Sequence, residues 1–207
     1  MNRSVDVNSI DIELYTDKTV KQFSELIADP EGKLWLSNSS AEVAAMAMSL
    51  AVRAIRKTKS EDADVKQAER FIDVMRKFFL KTVDQDLQSR AEWDKEAATG
   101  ASRAAMEGGV FAACSEIDEI LYGMIKALDM LDGISAKLTP ESCADAAAAV
   151  LFGKSAMEAV KLQRYYYASL ITGDVNVLAM RREPEIAIEN TAEKYDALYD
   201  RLVKAIG

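Results

Sequence analysis

The sequence predicts an all-α protein, a single-domain bundle of long antiparallel helices. Apolar residues recur with the 3.6-residue period of a helix in segment after segment, and few β-branched runs compete with them. Nine glycines and three prolines leave long stretches without a helix breaker. With 207 residues, 49% of them hydrophobic, the chain is long enough for one buried core and short for two. The domain is expected to span residues 1–207, with 1–18 as an N-terminal extension.

The first helix is expected from Thr19 to about Ala28, with Val20, Phe23, Leu26 and Ile27 on one face and Pro30 and Gly32 ending it. Leu34, Trp35 and Leu36 in the next segment predict a loop packed down on the core. Ser39 and Glu42 form a capping box that predicts a second helix starting there. Residues Val43 to Ile55 make that helix apolar nearly all round, so it belongs in the centre. A third helix starts after Ser60, with Val65, Ala68, Phe71, Ile72, Met75, Phe78, Phe79 and Val83 as its stripe. The same period carries Asp86 to that side, where it either reaches water at the edge or serves a site. Thr99-Gly100 separates this helix from a fourth, Ala101 to about Leu131, in which Gly108-Gly109 marks a bend or a close approach.

Thr139-Pro140 suits a cap followed by a first helical position and opens the fifth helix. Its inward series reads Asp145, Ala149, Phe152, Ala156, Ala159, Gln163 and Tyr166 or Tyr167, which sets an acid, an amide and a phenol on one face. An ionised carboxylate among small apolar residues is costly unless it is paired or used. Asp145 therefore either complements the positive end of the helix dipole or lines a site. After Gly173 a loop is expected to lead to Pro184 and a last amphipathic helix that covers the bundle or meets a second subunit.

Composition excludes several function classes. Lys+Arg 26 against Asp+Glu 34 gives a formal net charge of -8, with no basic run interleaved with aromatics, so nucleic acid and anionic membranes are not expected partners. The absence of histidine removes the Ser-His-Asp triad, the Cys-His dyad and the histidine-ligated zinc and di-iron sites. No Walker-type or G-x-G-x-x-G loop is present. Cys114 and Cys143 lie in helical patterns rather than in ligand spacings, which predicts buried reduced thiols and a cytoplasmic location. The first eighteen residues carry charges every few positions and lack the apolar core of a signal peptide. The uncharged stretch Val43 to Val52 is about half the length needed to cross a bilayer.

Several strings, in their order along the chain, resemble the cyclodeaminase/cyclohydrolase family, which includes the C-terminal half of formiminotransferase-cyclodeaminase and stand-alone methenyltetrahydrofolate cyclohydrolases. TVKQFSELIAD is similar to that family's first short helix, and SSAEVAAMAMSLAVRAI to the alanine-rich helix after its glycine loop. LKTVDQDLQSRAEW is similar to the segment holding a family acid, which falls on Asp86, and CADAAAAVLFGKSAMEAV to the segment whose acid falls on Asp145. The departures are also local. Leu36-Ser37-Asn38-Ser39-Ser40 stands where the family has a Pro-Gly-Gly-Gly-Ser type of loop, Ala144 stands for a serine, and Gln163 and Tyr167 stand for two asparagines.

The resemblance implies an all-helical homodimer that uses no metal and no cofactor beyond a tetrahydrofolate derivative, taken as substrate or ligand. Hydrolysis or deamination of an amidine-like one-carbon group needs a base and negative charge near a cationic carbon, and a carboxylate supplies both. Asp145 or Asp86 would be that base. Ser39 and Ser40, at a helix start, would hold an anionic part of the ligand, Lys57 or Lys59 would meet its glutamate tail, and Tyr166 and Tyr167 would stack on the pterin. The alternative implied by the missing glycine loop is a non-catalytic relative, a helical ligand-binding or protein-interaction dimer.

Overall fold

Thr19 opens the first helix with a reciprocal cap: its hydroxyl accepts from the Gln22 N–H at 3.3 Å, and the Gln22 side chain accepts from the Thr19 N–H at 2.9 Å. A computed structural model of the chain describes residues 14–30, 36–100 and 102–207, with the backbone alone for 85–98 and 103–106. Six α-helices follow one another among the described residues: α1 Val20–Ala28, α2 Leu36–Thr58, α3 Ala63–Ala98, α4 Arg103–Ile134, α5 Pro140–Ala168 and α6 Asp174–Ile206. No strand occurs among them, as expected.

Small side chains let the central helices come close. Ala41, Ala44, Ala47, Ala51 and Ala54 of α2 are fully buried, and so are Ala146, Ala149 and Ala156 of α5. These two helices lie antiparallel, and α3 covers the other side of α2. Ile120, Leu121, Met124, Leu128 and Leu131 of α4 fill the space between α3 and α5. A Cβ on Gly153 would stand 2.9 Å from the Met124 sulfur and 3.1 Å from Leu128 Cδ1, so glycine is what allows α5 to sit against α4. Gly108, expected to mark a bend or a close approach, faces open space.

Three helix starts differ from expectation. α2 begins at Leu36, so Ser39 and Glu42 lie inside the helix and the capping box read there is absent. α3 is capped by Asp62, whose carboxylate accepts from the N–H groups of Asp64 at 2.9 Å and Val65 at 3.3 Å, rather than by Ser60. α6 starts at Asp174 and runs through Pro184. Proline costs a helix one hydrogen bond. Here the turn before it is held down by the buried Met180 and by Arg164 of α5, whose Nη2 donates to Glu183 at 2.6 Å. Leu34 and Trp35, expected to pack on the core, lie outside the described residues.

The described end of the N-terminal extension, Leu14 to Lys18, is docked. Tyr15 is buried and meets the Phe23 ring edge-on at 6.4 Å between centroids. The Thr16 N–H and hydroxyl both donate to the Asp84 carboxylate of α3, at 3.1 and 2.5 Å. No helix among the described residues is long and apolar enough to cross a membrane.

Candidate functional site

At the start of α2, the polar string Ser37-Asn38-Ser39-Ser40 is wound into helix, and Ser37, Asn38 and Ser40 are turned inward. The Ser40 hydroxyl donates to the Leu36 carbonyl at 2.7 Å, and Asn38 Nδ2 donates to the Val83 carbonyl of α3 at 2.8 Å. Ser37, Asn38 and Ser40 are all buried. Ser40 therefore fastens its own helix and is turned away from solvent. Ser39 points the other way, into a cleft of about 340 Å³ roofed by the Tyr15–Asp17 turn and α1. Tyr15, Phe23, Val43, Met46 and Leu80 give this cleft apolar walls, and Thr16, Ser39 and Glu42 are polar groups set in them.

Glu42 is half-buried there. Burial pushes its carboxyl above the usual range, and the negative charge of Asp84 pushes it further the same way. A carboxyl so displaced in a cleft is a group that can both take and give a proton. The pattern of the sequence concealed it, because an acid three residues after a serine at a helix start reads as a cap. Asp84 is hidden for a different reason: it belongs to the Asp84-Gln85-Asp86 triplet, and the resemblance falls on the second acid. Asp86 lies on α3 one turn beyond Val83, and its side chain is outside the described residues.

The other expected acid sits at the far end of α2. Asp145 is 8% exposed and accepts from Arg53 through Nε at 2.9 Å, from Arg53 Nη2, and from Lys57 Nζ at 2.8 Å. Burial pushes its carboxyl up, but the hydrogen bonds from Arg53 and Lys57 outweigh that and hold it below the usual carboxylate range. A carboxylate whose oxygens already accept three charged N–H donors is a poor base. Beside it, the Thr58 hydroxyl donates to Ser142 at 3.2 Å and accepts the Thr139 N–H at 3.4 Å, tying the end of α2 to the start of α5.

The structure thus divides the predicted residues between two places. Arg53 follows Ser39 by fourteen positions on one helix, a rise of about 21 Å. Asp145, Lys57 and Lys59 belong to one end, and Ser39, with the α3 turn that holds Asp86, to the other. Within one chain the backbone of Asp86 and the Asp145 carboxylate thus lie toward opposite ends of α2. Gln163 and Tyr167 are buried on α5 eighteen or more residues beyond Asp145, and the antiparallel pairing carries them to the Ser39 end. Tyr166, expected as a stacking residue, is 55% exposed on the outer face, while Tyr167 packs in the core.

Among the described residues no group of three His, Cys, Asp or Glu side chains could hold a metal ion. No known family model matches the sequence, and no curated protein matches it. Among solved structures, the crystal structure of formiminotetrahydrofolate cyclodeaminase from Thermotoga maritima is similar, with a TM-score of 0.76 over 90% of this chain and 98% of that one, at 15% sequence identity. The chain has the cyclodeaminase fold. Within the cyclodeaminase fold, chemistry resides in the side chains a given sequence presents, so the roles of Glu42, Asp84 and Asp145 rest on their own surroundings.

Proposed function

We propose that the protein acts on a folate-bound one-carbon unit, deaminating a formimino group or hydrolysing a methenyl group, with Glu42 as its proton-transfer group in the α1–α2–α3 cleft. The observation that carries this reading is the raised carboxyl of Glu42, set among apolar walls beside Asp84. Such a cleft suits a flat ring, and Glu42, the acid in its lining, favours a cationic amidine carbon against it. The Glu42 carboxylate takes a proton from the attacking group, the ring-closing amine in deamination or water in hydrolysis, and gives it to the nitrogen whose bond to the one-carbon unit breaks. The likeness in fold supports the substrate class.

A homodimer belongs to the same proposal. Ala144, Leu151, Phe152, Ser155, Leu162 and Tyr166, with Glu158 among them, form an exposed, largely apolar stripe along α5. Two-fold pairing of that stripe about Ser155 would set Asp145 of one copy opposite the Tyr165 end of the other, bringing the two separated groups into one neighbourhood.

The inward-turned Ser37, Asn38 and Ser40 favour a second reading, in which the same cleft binds the folate without turning it over. Absorbance assays with methenyltetrahydrofolate and formiminotetrahydrofolate decide between them. Turnover above buffer supports the enzyme. Thermal stabilisation by either compound without turnover selects the binding protein. Neither effect, with the protein folded, removes both.

A further inference from the structure

A second groove, of about 620 Å³, lies at the far end of α2 and is independent of the reading above. Ser49, Val52, Arg53, Arg56, Lys57 and Lys59 of α2 line it, with Arg76 of α3 opposite. Five of these seven residues are cations, and no carboxylate is among them, in a chain whose net charge is -8. Chance placement on an acidic surface does not concentrate cations this way, and the C-terminal dipole of one helix needs only one or two of them.

The ion pairs around the groove leave it positive. Arg53 and Lys57 share Asp145, Arg56 donates through Nε to Glu69 at 2.7 Å, and Arg76 binds Asp73, which Lys77 also binds. Three carboxylates therefore stand against the five lining cations, a local excess of 5 − 3 = 2 positive charges before Lys77 is counted. A guanidinium has five N–H donors, and the bonds of Arg53 and Arg56 use two and one of them. The remaining donors belong to side chains more than half exposed, at 57% and 59%. Asp145 thus acts as a strut: it holds Arg53 and Lys57 side by side at the groove wall against their mutual repulsion. Lys59 ends the helix in a left-handed backbone conformation, φ 50°, which turns it out of the α2 line at the groove's rim.

We infer that this groove binds a small, multiply charged phosphate, a diphosphate or triphosphate group, by the forks of Arg53 and Arg56 and the ammonium groups of Lys57 and Lys59. A carboxylate offers one edge to one fork, whereas a phosphate chain offers several edges to several forks at once. The groove is too short for a nucleic-acid duplex and sits on a surface whose overall charge repels one.

Titration calorimetry of the full chain with inorganic pyrophosphate, at low and at physiological salt, tests this. Saturable one-to-one binding that weakens with salt is expected, with a matching rise in Tm. Lys59→Glu and Arg56→Gln should each weaken it about tenfold or more, and Lys126→Glu, on α4 outside the groove, should change it less than twofold. Lys59 lies at an exposed helix end, so its variant reports even if Arg56→Gln fails to fold. Absence of saturable binding overturns the inference, as does an equal loss in Lys126→Glu, which would show attraction to net charge alone. Triglutamate binding as tightly as pyrophosphate would overturn the phosphate assignment.

Discussion

The two ends of α2 hold acids in opposite ways. At the Ser39 end, burial raises the Glu42 carboxyl above its usual range and the negative charge of Asp84 adds to that. At the Lys59 end, Asp145 is more buried, yet two cations keep it ionised. Burial alone therefore does not mark a reactive carboxyl; what faces it decides. A carboxylate in an ion pair has its lone pairs committed, whereas one raised by burial and a like charge takes up a proton more readily.

Four substitutions or conditions test that contrast. Glu42→Gln should have the largest effect, lowering turnover of the folate substrate by about 10²- to 10⁴-fold while leaving Tm unchanged or slightly higher, since it removes like-charge strain. Steady-state rates beside a melting curve check this; wild-type rates would clear Glu42. Gly153→Leu should come next. The side chain would run into Met124 and Leu128, at a cost of about 3 kcal/mol read from denaturant unfolding, and should loosen both ends of α2 together.

Asp145→Asn should cost less, about 1–2 kcal/mol, because Arg53 and Lys57 are half exposed and water takes up much of their charge. In a chain of this size that is a fall of about 3–8 °C in Tm. Turnover by one chain's cleft should survive it, so loss of rate with an intact fold would show that Asp145 reaches a site across the dimer.

The smallest effect is the pH dependence, in which the two ends have opposite signs. Glu42 is raised when folded, so its contribution is fully present below about pH 4 and is lost as pH rises through its folded value. Asp145 is lowered, so its contribution is present above about pH 4 and is lost as pH falls through its folded value. Melting curves between about pH 3 and pH 7 should show Glu42→Gln gaining on wild type toward neutrality, and Asp145→Asn approaching wild type toward acid. Parallel curves for the two variants would erase the distinction.

Helix content and order were legible in the sequence because periodicity and breakers are local: Thr19, Thr99-Gly100 and Thr139-Pro140 each mark a boundary that the structure keeps. Boundaries set by tertiary contacts were not. The serine-rich start of α2 reads as a cap, but Asn38 bonding to Val83 on α3 extends the helix back to Leu36. Pro184 reads as a first helical residue until Arg164 and Met180 hold the turn before it. The site was half legible. Periodicity sets Asp145, Gln163 and Tyr167 on the inward side of α5, and all three are buried. It could not say that Arg53 lies opposite, or that the charge of Asp84, forty-two residues further on, reaches Glu42.

The Thr16–Asp84 contact gives the cleft a latch. Its roof is held by Thr16, by the buried Tyr15 and by a short helix with no fully buried side chain, so entry and exit of a ligand need only a local opening rather than loss of the bundle. Amide hydrogen exchange at Thr16 would then run far faster than in α4, slow when the cleft is filled, and set the upper limit on how quickly product can leave.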